Sequence, residues 1–159
     1  MCKELDRLKE LHLAEKLGRL HRLWRTAADV ELIPLGLTHP RWTALWKLLH
    51  LGDGVSQKML AGALEIELSS LMRTLGQLEV QGYVKRRCCD NDKRARIVSL
   101  TPEGIDILKQ IETRIMQVRG ELLDGISNQE LNEFERIITL ISDNATTKLN
   151  QNSDPFTEK

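Results

Sequence analysis

The cations of this chain crowd into one short stretch. Lys85, Arg86, Arg87, Lys93, Arg94 and Arg96 fall within twelve positions, opposed there only by Asp90 and Asp92. That density suits the neutralisation of phosphates, a chemistry of point charges and planar guanidinium forks that needs no catalytic group. A solvated hairpin with no partner would look the same when taken alone. Two thiols, Cys88 and Cys89, follow the first three of these cations. Cationic neighbours in general favour a reactive thiolate, so the pair could sense oxidants, bind a soft metal or bridge chains, or it could be two strand-end thiols and nothing more. His12, His21, His39 and His50 show no metal-ligand spacing with acidic or sulfur partners. A glycine-rich phosphate loop, a nucleophile elbow and a paired-carboxylate motif are all missing, so the expected protein is no enzyme, and no metal site is expected.

The elements that must position the basic stretch are legible on both sides of it. Ser56–Ala63 and Glu67–Gln81 read as two short helices joined through Leu64-Glu65-Ile66, with Ser56 as the cap of the first. Gly82 stops the second. Tyr83–Cys88 then reads as a strand, Cys89–Lys93 as a polar tip, Arg96–Leu100 as a returning strand, and Thr101-Pro102 opens the next helix. Helix, turn, helix and basic hairpin is the layout of a winged helix-turn-helix, which lays its second helix in the DNA major groove. On that helix Leu68, Leu71, Met72, Leu75 and Leu78 are expected to face inward, with Ser69, Ser70, Arg73, Thr74 and Gln77 outward. Small hydroxyls let a backbone come close to DNA. Arg73 suits a guanine edge or a phosphate, and Gln77 suits adenine.

Around this lobe lie longer helical patterns. The first, over residues 4–33, carries an apolar stripe through Leu13, Leu17, Leu20 and Trp24, and Pro34 and Gly36 end it. Thr38 is placed to cap a second helix with Trp42, Leu45, Trp46 and Leu48, ending at Gly52-Asp53-Gly54; the helix that Ser56 caps is expected to bury Met59, Leu60, Ala63 and Leu64. Residues 102–123 make another long helix. Ser127-Asn128-Gln129-Glu130 is a capping box before the last, which carries Phe134, Ile137, Ile138 and Ile141. The fold class expected is mainly α with a small β-hairpin wing, α+β. Residues 1–34 would be an N-terminal dimerisation helix, and 35–101 the DNA-binding lobe, with its recognition helix at 67–81 and its wing at 83–100. Residues 102–149 would be C-terminal dimerisation helices, and 150–159 a disordered tail. Three amphipathic helices offer more apolar surface than one small lobe covers. A two-fold homodimer is the simplest use for them, and it would hold two recognition helices about one DNA turn apart, roughly 34 Å.

Composition agrees with a globular class. Of 159 residues 41% are apolar and 29% charged, and no apolar run approaches a membrane span. Three cysteines make no disulfide framework, so a cytoplasmic location is expected. Net charge is zero, but residues 56–100 carry +3 and residues 101–159 carry −5. A basic element beside an acidic helical body binds phosphate locally and is not a generally sticky polycation.

At the wing, Asp92-x-Arg94-Ala95-x-x-Val98-x-Leu100-Thr101-x-x-Gly104 resembles the wing signature of the MarR family of transcription regulators at every fixed position. Leu23-Trp24-Arg25, Leu37-Thr38 and Ser70–Glu79 are similar to the SlyA-like branch, and the resemblance spans residues 10–148. It implies a homodimer on pseudo-palindromic, A·T-rich double-stranded promoter DNA, acting as repressor or activator. Arg94 would enter the minor groove, oriented by Asp92 and flanked by Lys93 and Arg96. Ser56, Lys85, Arg86 and Arg87 would hold the DNA backbone. It implies no cofactor. Many members bind a small aromatic carboxylate between the dimer helices and the DNA-binding lobe, where this chain has Trp24, Arg41, Trp42, Leu45 and Trp46. Those tryptophans would equally serve to pack the joint. Two other readings stay open: a winged-helix interaction module without specific DNA binding, and a thiol-based sensor using Cys88 and Cys89.

Overall fold

Pro34 and Gly36 break the first helical stretch as their chemistry requires. Pro34 has no N–H to continue the ladder, and Gly36 takes the left-handed φ of 70° that closes the turn. The computed structural model describes residues 12–52, 54–91 and 96–152. In chain order these form α1 (His12–Leu32), a 3-10 turn (Ile33–Leu35), α2 (His39–Leu51), β1 (Val55–Ser56), α3 (Gln57–Leu64), α4 (Leu68–Val80), β2 (Val84–Cys88), β3 (Arg96–Leu100), α5 (Pro102–Leu122) and α6 (Asn128–Asn152). The architecture is mainly helical with one small antiparallel sheet, a winged helix-turn-helix. Two units make up the chain, the first ending at Leu122 and the second beginning at Leu123.

In the first unit the core gathers Leu32 from α1, Leu45 and Leu48 from α2, Leu60 from α3, and Leu71, Leu75 and Leu78 from α4. Val84 and Val98 come from the sheet and Ile111 from α5. Trp42, Trp46 and Tyr83 pack against its edge. The sheet order is β1-β3-β2, with Val55 opposite Val98 and Arg86 also opposite Val98. The hairpin is as expected, with its first strand starting at Val84. Strand β1 was not foreseen, because two residues are too short to show an alternating pattern.

Three residues expected inside are exposed: Met59 at 57%, Leu68 at 41% and Met72 at 46%. Thr74, expected outside, is buried at 7%. The buried arc of α4 is Leu71, Thr74, Leu75 and Leu78, an i, i+3, i+4, i+7 set narrower than its apolar residues suggest. Thr74 can take an inward position because its hydroxyl donates to the Ser70 carbonyl at 3.2 Å.

The hairpin joins α5 through one residue. Thr101 donates its backbone N–H to the Tyr83 carbonyl at 3.1 Å, and its hydroxyl to the Gly82 carbonyl. The same hydroxyl oxygen accepts the Gly104 N–H at 2.9 Å, capping the helix. A Cβ on Gly104 would collide with the Tyr83 carbonyl oxygen, so only glycine fits there. Thr38 stands at the expected cap of α2, but with no side-chain bond; its carbonyl accepts from Arg41 and Trp42 instead.

The second unit is α6 and the turn before it. Ser127 and Glu130 form the expected capping box, with the Ser127 N–H donating to Glu130 Oε2 at 2.8 Å and the Glu130 N–H to Ser127 Oγ at 3.2 Å. The Ser127 N–H, together with the Ser127 hydroxyl donating to the same Oε2 at 2.9 Å, holds the Glu130 carboxyl below its ordinary range. The helix runs to Asn152, and the rest of the expected tail lies outside the described residues.

Candidate nucleic-acid interface and adjoining cleft

The exposed side of α4 begins at the turn after α3. There Glu65 takes a left-handed φ of 55° as the cap of α3, and its N–H is satisfied by the Gly62 carbonyl at 3.1 Å. From that turn Ser69, Ser70, Arg73 and Gln77 emerge exposed. Thr74 is corrected to an inward position by the burial described above. Ser56 caps α3, its hydroxyl oxygen accepting the Met59 N–H at 3.1 Å.

The wing is braced against this helix. Arg86 donates through Nε and a terminal nitrogen to Glu79 Oε2 at 3.0 and 2.7 Å, and its backbone N–H donates to Glu79 Oε1 at 3.3 Å. Three bonds from one strand residue to one helix carboxylate tie the hairpin root to the last turn of α4. The Arg86 hydrogen bond is the main reason the Glu79 carboxyl lies below its ordinary value of 4.5. Arg86, expected as a backbone contact, is thus bonded within the molecule through Nε and one terminal nitrogen, with its side chain 21% exposed. Lys85, Arg87 and Arg96 are exposed. Arg87 lies 3.8 Å from Asp90, a loose pair in solvent. Cys88 is exposed and faces Arg96 across the ladder, whereas Cys89 is half-buried. Asp92, Lys93 and Arg94 lie outside the described residues.

Beside the N-terminal half of α4 opens a cleft of about 770 Å³. Arg25, His39 and Arg73 supply its polar corners, Thr43, Ser69, Ser70 and Thr74 its hydroxyls, and Pro40, Leu64 and Ile66 its apolar wall. None of Trp24, Arg41, Trp42, Leu45 and Trp46 lines it. Leu45 is corrected outright, being fully buried in the core. Trp46 packs on the core edge and tilts against His50 at 5.1 Å. Arg41 is engaged with the recognition helix instead, its Nε donating to Gln77 Oε1 at 3.1 Å.

Trp42 is held by a residue that sequence reasoning missed. Asp29 Oδ1 accepts from the Trp42 indole N–H at 2.8 Å and bonds His39 Nδ1 at 2.7 Å, and its other oxygen lies 3.6 Å from Arg25 Nε. His39 and Trp42 meet edge to face at 5.3 Å. Asp29 thus bonds one of the cleft's polar residues, His39, and lies near a second, Arg25. The only trace of this in the sequence is the Arg25/Asp29 spacing of four, a pattern too common on helix surfaces to single it out. Among the described residues no cluster of histidine, cysteine or acidic groups could hold a metal ion.

Residues 37–95, the lobe from the cap of α2 into the wing, match the model of the MarR family. The chain resembles the solved structure of the transcriptional regulator PA3341 at 32% identity and a TM-score of 0.77, over 84% of this chain and 98% of that one. It is also similar in fold to a mutant MarR from E. coli complexed with operator DNA, at 22% identity and a TM-score of 0.76, over 84% and 95% of the two chains. A third similar structure is CouR from Rhodococcus jostii RHA1 bound to p-coumaroyl-CoA, at 22% identity and a TM-score of 0.69, over 79% and 87%. The family model and a regulator 32% identical over 84% of this chain lead to one assignment: the chain belongs to the MarR family of transcription regulators.

Proposed function

We propose that this regulator, of the SlyA-like branch, is a cytoplasmic homodimer that binds pseudo-palindromic, A·T-rich double-stranded promoter DNA. Helix α4 enters the major groove, with Ser69, Ser70, Arg73 and Gln77 toward the bases and phosphates. The hairpin follows the flanking minor groove, with Arg94 inserted, Asp92 orienting it, and Lys93 and Arg96 beside it. Ser56, Lys85 and Arg87 hold the backbone, and residues 1–34 and 102–149 supply the dimer contacts. The carrying observation is the exposed polar side of α4 with the basic hairpin tied to its end by Arg86 and Glu79. A narrow A·T-rich minor groove has enhanced negative potential, which an arginine reads without a base code. The operator complex of the E. coli relative supports this docking.

The cleft supports an effector that is a small organic acid with an apolar body. Arg25 and Arg73 offer charge-assisted donors to a carboxylate, and Pro40, Leu64 and Ile66 offer an apolar wall. Because Ser69, Ser70 and Arg73 belong to both the cleft and the recognition helix, an occupant competes directly with DNA. A second reading, control by thiol oxidation, draws on the exposed Cys88 beside Cys89. An unchanged peroxide response of DNA binding in a Cys88→Ser/Cys89→Ser variant would dismiss it.

The test of the main reading is selection of bound sequences from a random DNA pool at fixed salt. An enriched inverted repeat, with half-sites one helical turn apart, is expected. Weak, salt-sensitive binding without enrichment would favour the interaction-module reading. Arg94→Ala is expected to weaken binding to the selected site by on the order of 1–3 kcal/mol.

A further inference from the structure

One hydrogen bond joins α2 to the exposed side of the recognition helix, and it bears on what Gln77 can read. Arg41 Nε donates to Gln77 Oε1 at 3.1 Å, and one terminal nitrogen of Arg41 reaches the Gly36 carbonyl at 3.5 Å. A guanidinium has donors only, so the amide atom facing it must be the oxygen. The orientation of the Gln77 amide is therefore set by chemistry: oxygen toward Arg41, nitrogen away from it.

Adenine is read by glutamine through both amide atoms, the oxygen accepting from N6 and the nitrogen donating to N7. In this structure the oxygen already receives a charged donor. A second donor brought to it from the adenine amino group would lie against the same guanidinium. What Gln77 then offers a base is its donors, the two N–H groups of Nε2. The base edge that matches two donors is guanine, with its N7 and O6 acceptors.

We propose that Arg41 is a specificity-determining residue that positions Gln77, so that the pair reads guanine and Gln77 without Arg41 reads adenine. This rests on the reading of α4 as the major-groove helix. It replaces the adenine preference that residue type alone suggests for Gln77, because that preference assumes an amide oxygen with no guanidinium beside it, and here the adenine amino group would have to share the oxygen with a charged donor. Arg41 acts through Gln77 and needs no base contact of its own.

The experiment is the same random-pool selection, run in parallel on the full-length wild type and on Gln77→Ala, Arg41→Met and Gln77→Glu. The position that loses its preference in Gln77→Ala is the one that Gln77 reads. Guanine is expected there in the wild type, favoured about tenfold over adenine. In Arg41→Met, which keeps side-chain length and removes every donor, the preference is expected to pass to adenine at that position alone. Gln77→Glu exchanges donors for acceptors, so guanine is expected to give way to cytosine, and this arm holds even if Arg41→Met fails to fold. A wild-type preference for adenine at the mapped position overturns the proposal, as does an unchanged base in Arg41→Met or retained guanine in Gln77→Glu. Failure of the wild type to enrich any inverted repeat overturns the docking reading itself, and this inference with it.

Discussion

Asp29 illustrates how much can hang on one carboxylate. It satisfies the Trp42 indole N–H and holds His39, so one polar corner of the cleft depends on an acid with no direct share in it. Asp29→Ala strands both groups while they are partly buried, a loss of about 1–3 kcal/mol. The denaturant midpoint, followed by tryptophan fluorescence, is expected to fall accordingly, and Asp29→Asn to recover part of the loss through its remaining acceptor. Gly104 is the other sensitive position. Gly104→Ala drives a methyl into the Tyr83 carbonyl at the point where wing meets helix. The expected cost is about 1–3 kcal/mol, with the hairpin amides losing hydrogen-exchange protection first. An unaltered exchange profile would show that the backbone yields easily there. The spacing Leu100-Thr101-x-x-Gly104 is thereby explained by geometry: Thr101 caps the helix and Gly104 leaves room for the strand.

At the scale of elements, the wing and α4 behave as one piece because Arg86 and Glu79 join them. The Glu79 carboxyl titrates below its unfolded value near 4.5, so the folded state binds its proton less readily. The pair's contribution is complete above 4.5 and is lost as pH falls through the lower folded value. Glu79 is 40% exposed, so solvent screening keeps that contribution within about 1 kcal/mol. The stability difference between wild type and Glu79→Gln is expected to be constant at neutral pH and to vanish in acid. A difference that grows in acid would contradict the assignment. Element types and most element ends were legible in advance, since glycine stops, the Ser56 cap and the Ser127/Glu130 box are local signals. The two-residue β1 was not, because its pairing partners at Ile97 and Val98 are some forty residues away.

For the whole molecule, apolar surface is the guide to assembly. Leu13, Leu20, Leu23 and Val30 of α1 are each between 43% and 59% exposed. On α6, Phe134, Ile137, Ile138, Leu140 and Ile141 are between 40% and 51% exposed. Monomers rarely leave such runs in water, which supports the proposed homodimer. Sedimentation equilibrium is expected to give twice the chain mass, and Ile137→Glu/Ile141→Glu to give a monomer with greatly weakened operator binding. A dimeric double variant would remove α6 from the interface. What the sequence by itself determined is everything carried by neighbours in the chain: the helical periods, the caps, the basic hairpin and the family pattern at the wing. What only the tertiary structure decided is how those parts share their polar groups. Arg86 is spent on Glu79, Thr74 turns inward, and Arg41 takes the oxygen of Gln77, while Asp29 holds two residues that line or adjoin the cleft. The reason is physical. A side chain's hydrogen-bonding capacity is its own, but which partner uses it depends on residues 36 positions away in the case of Arg41 and Gln77, and the folded chain alone brings them together.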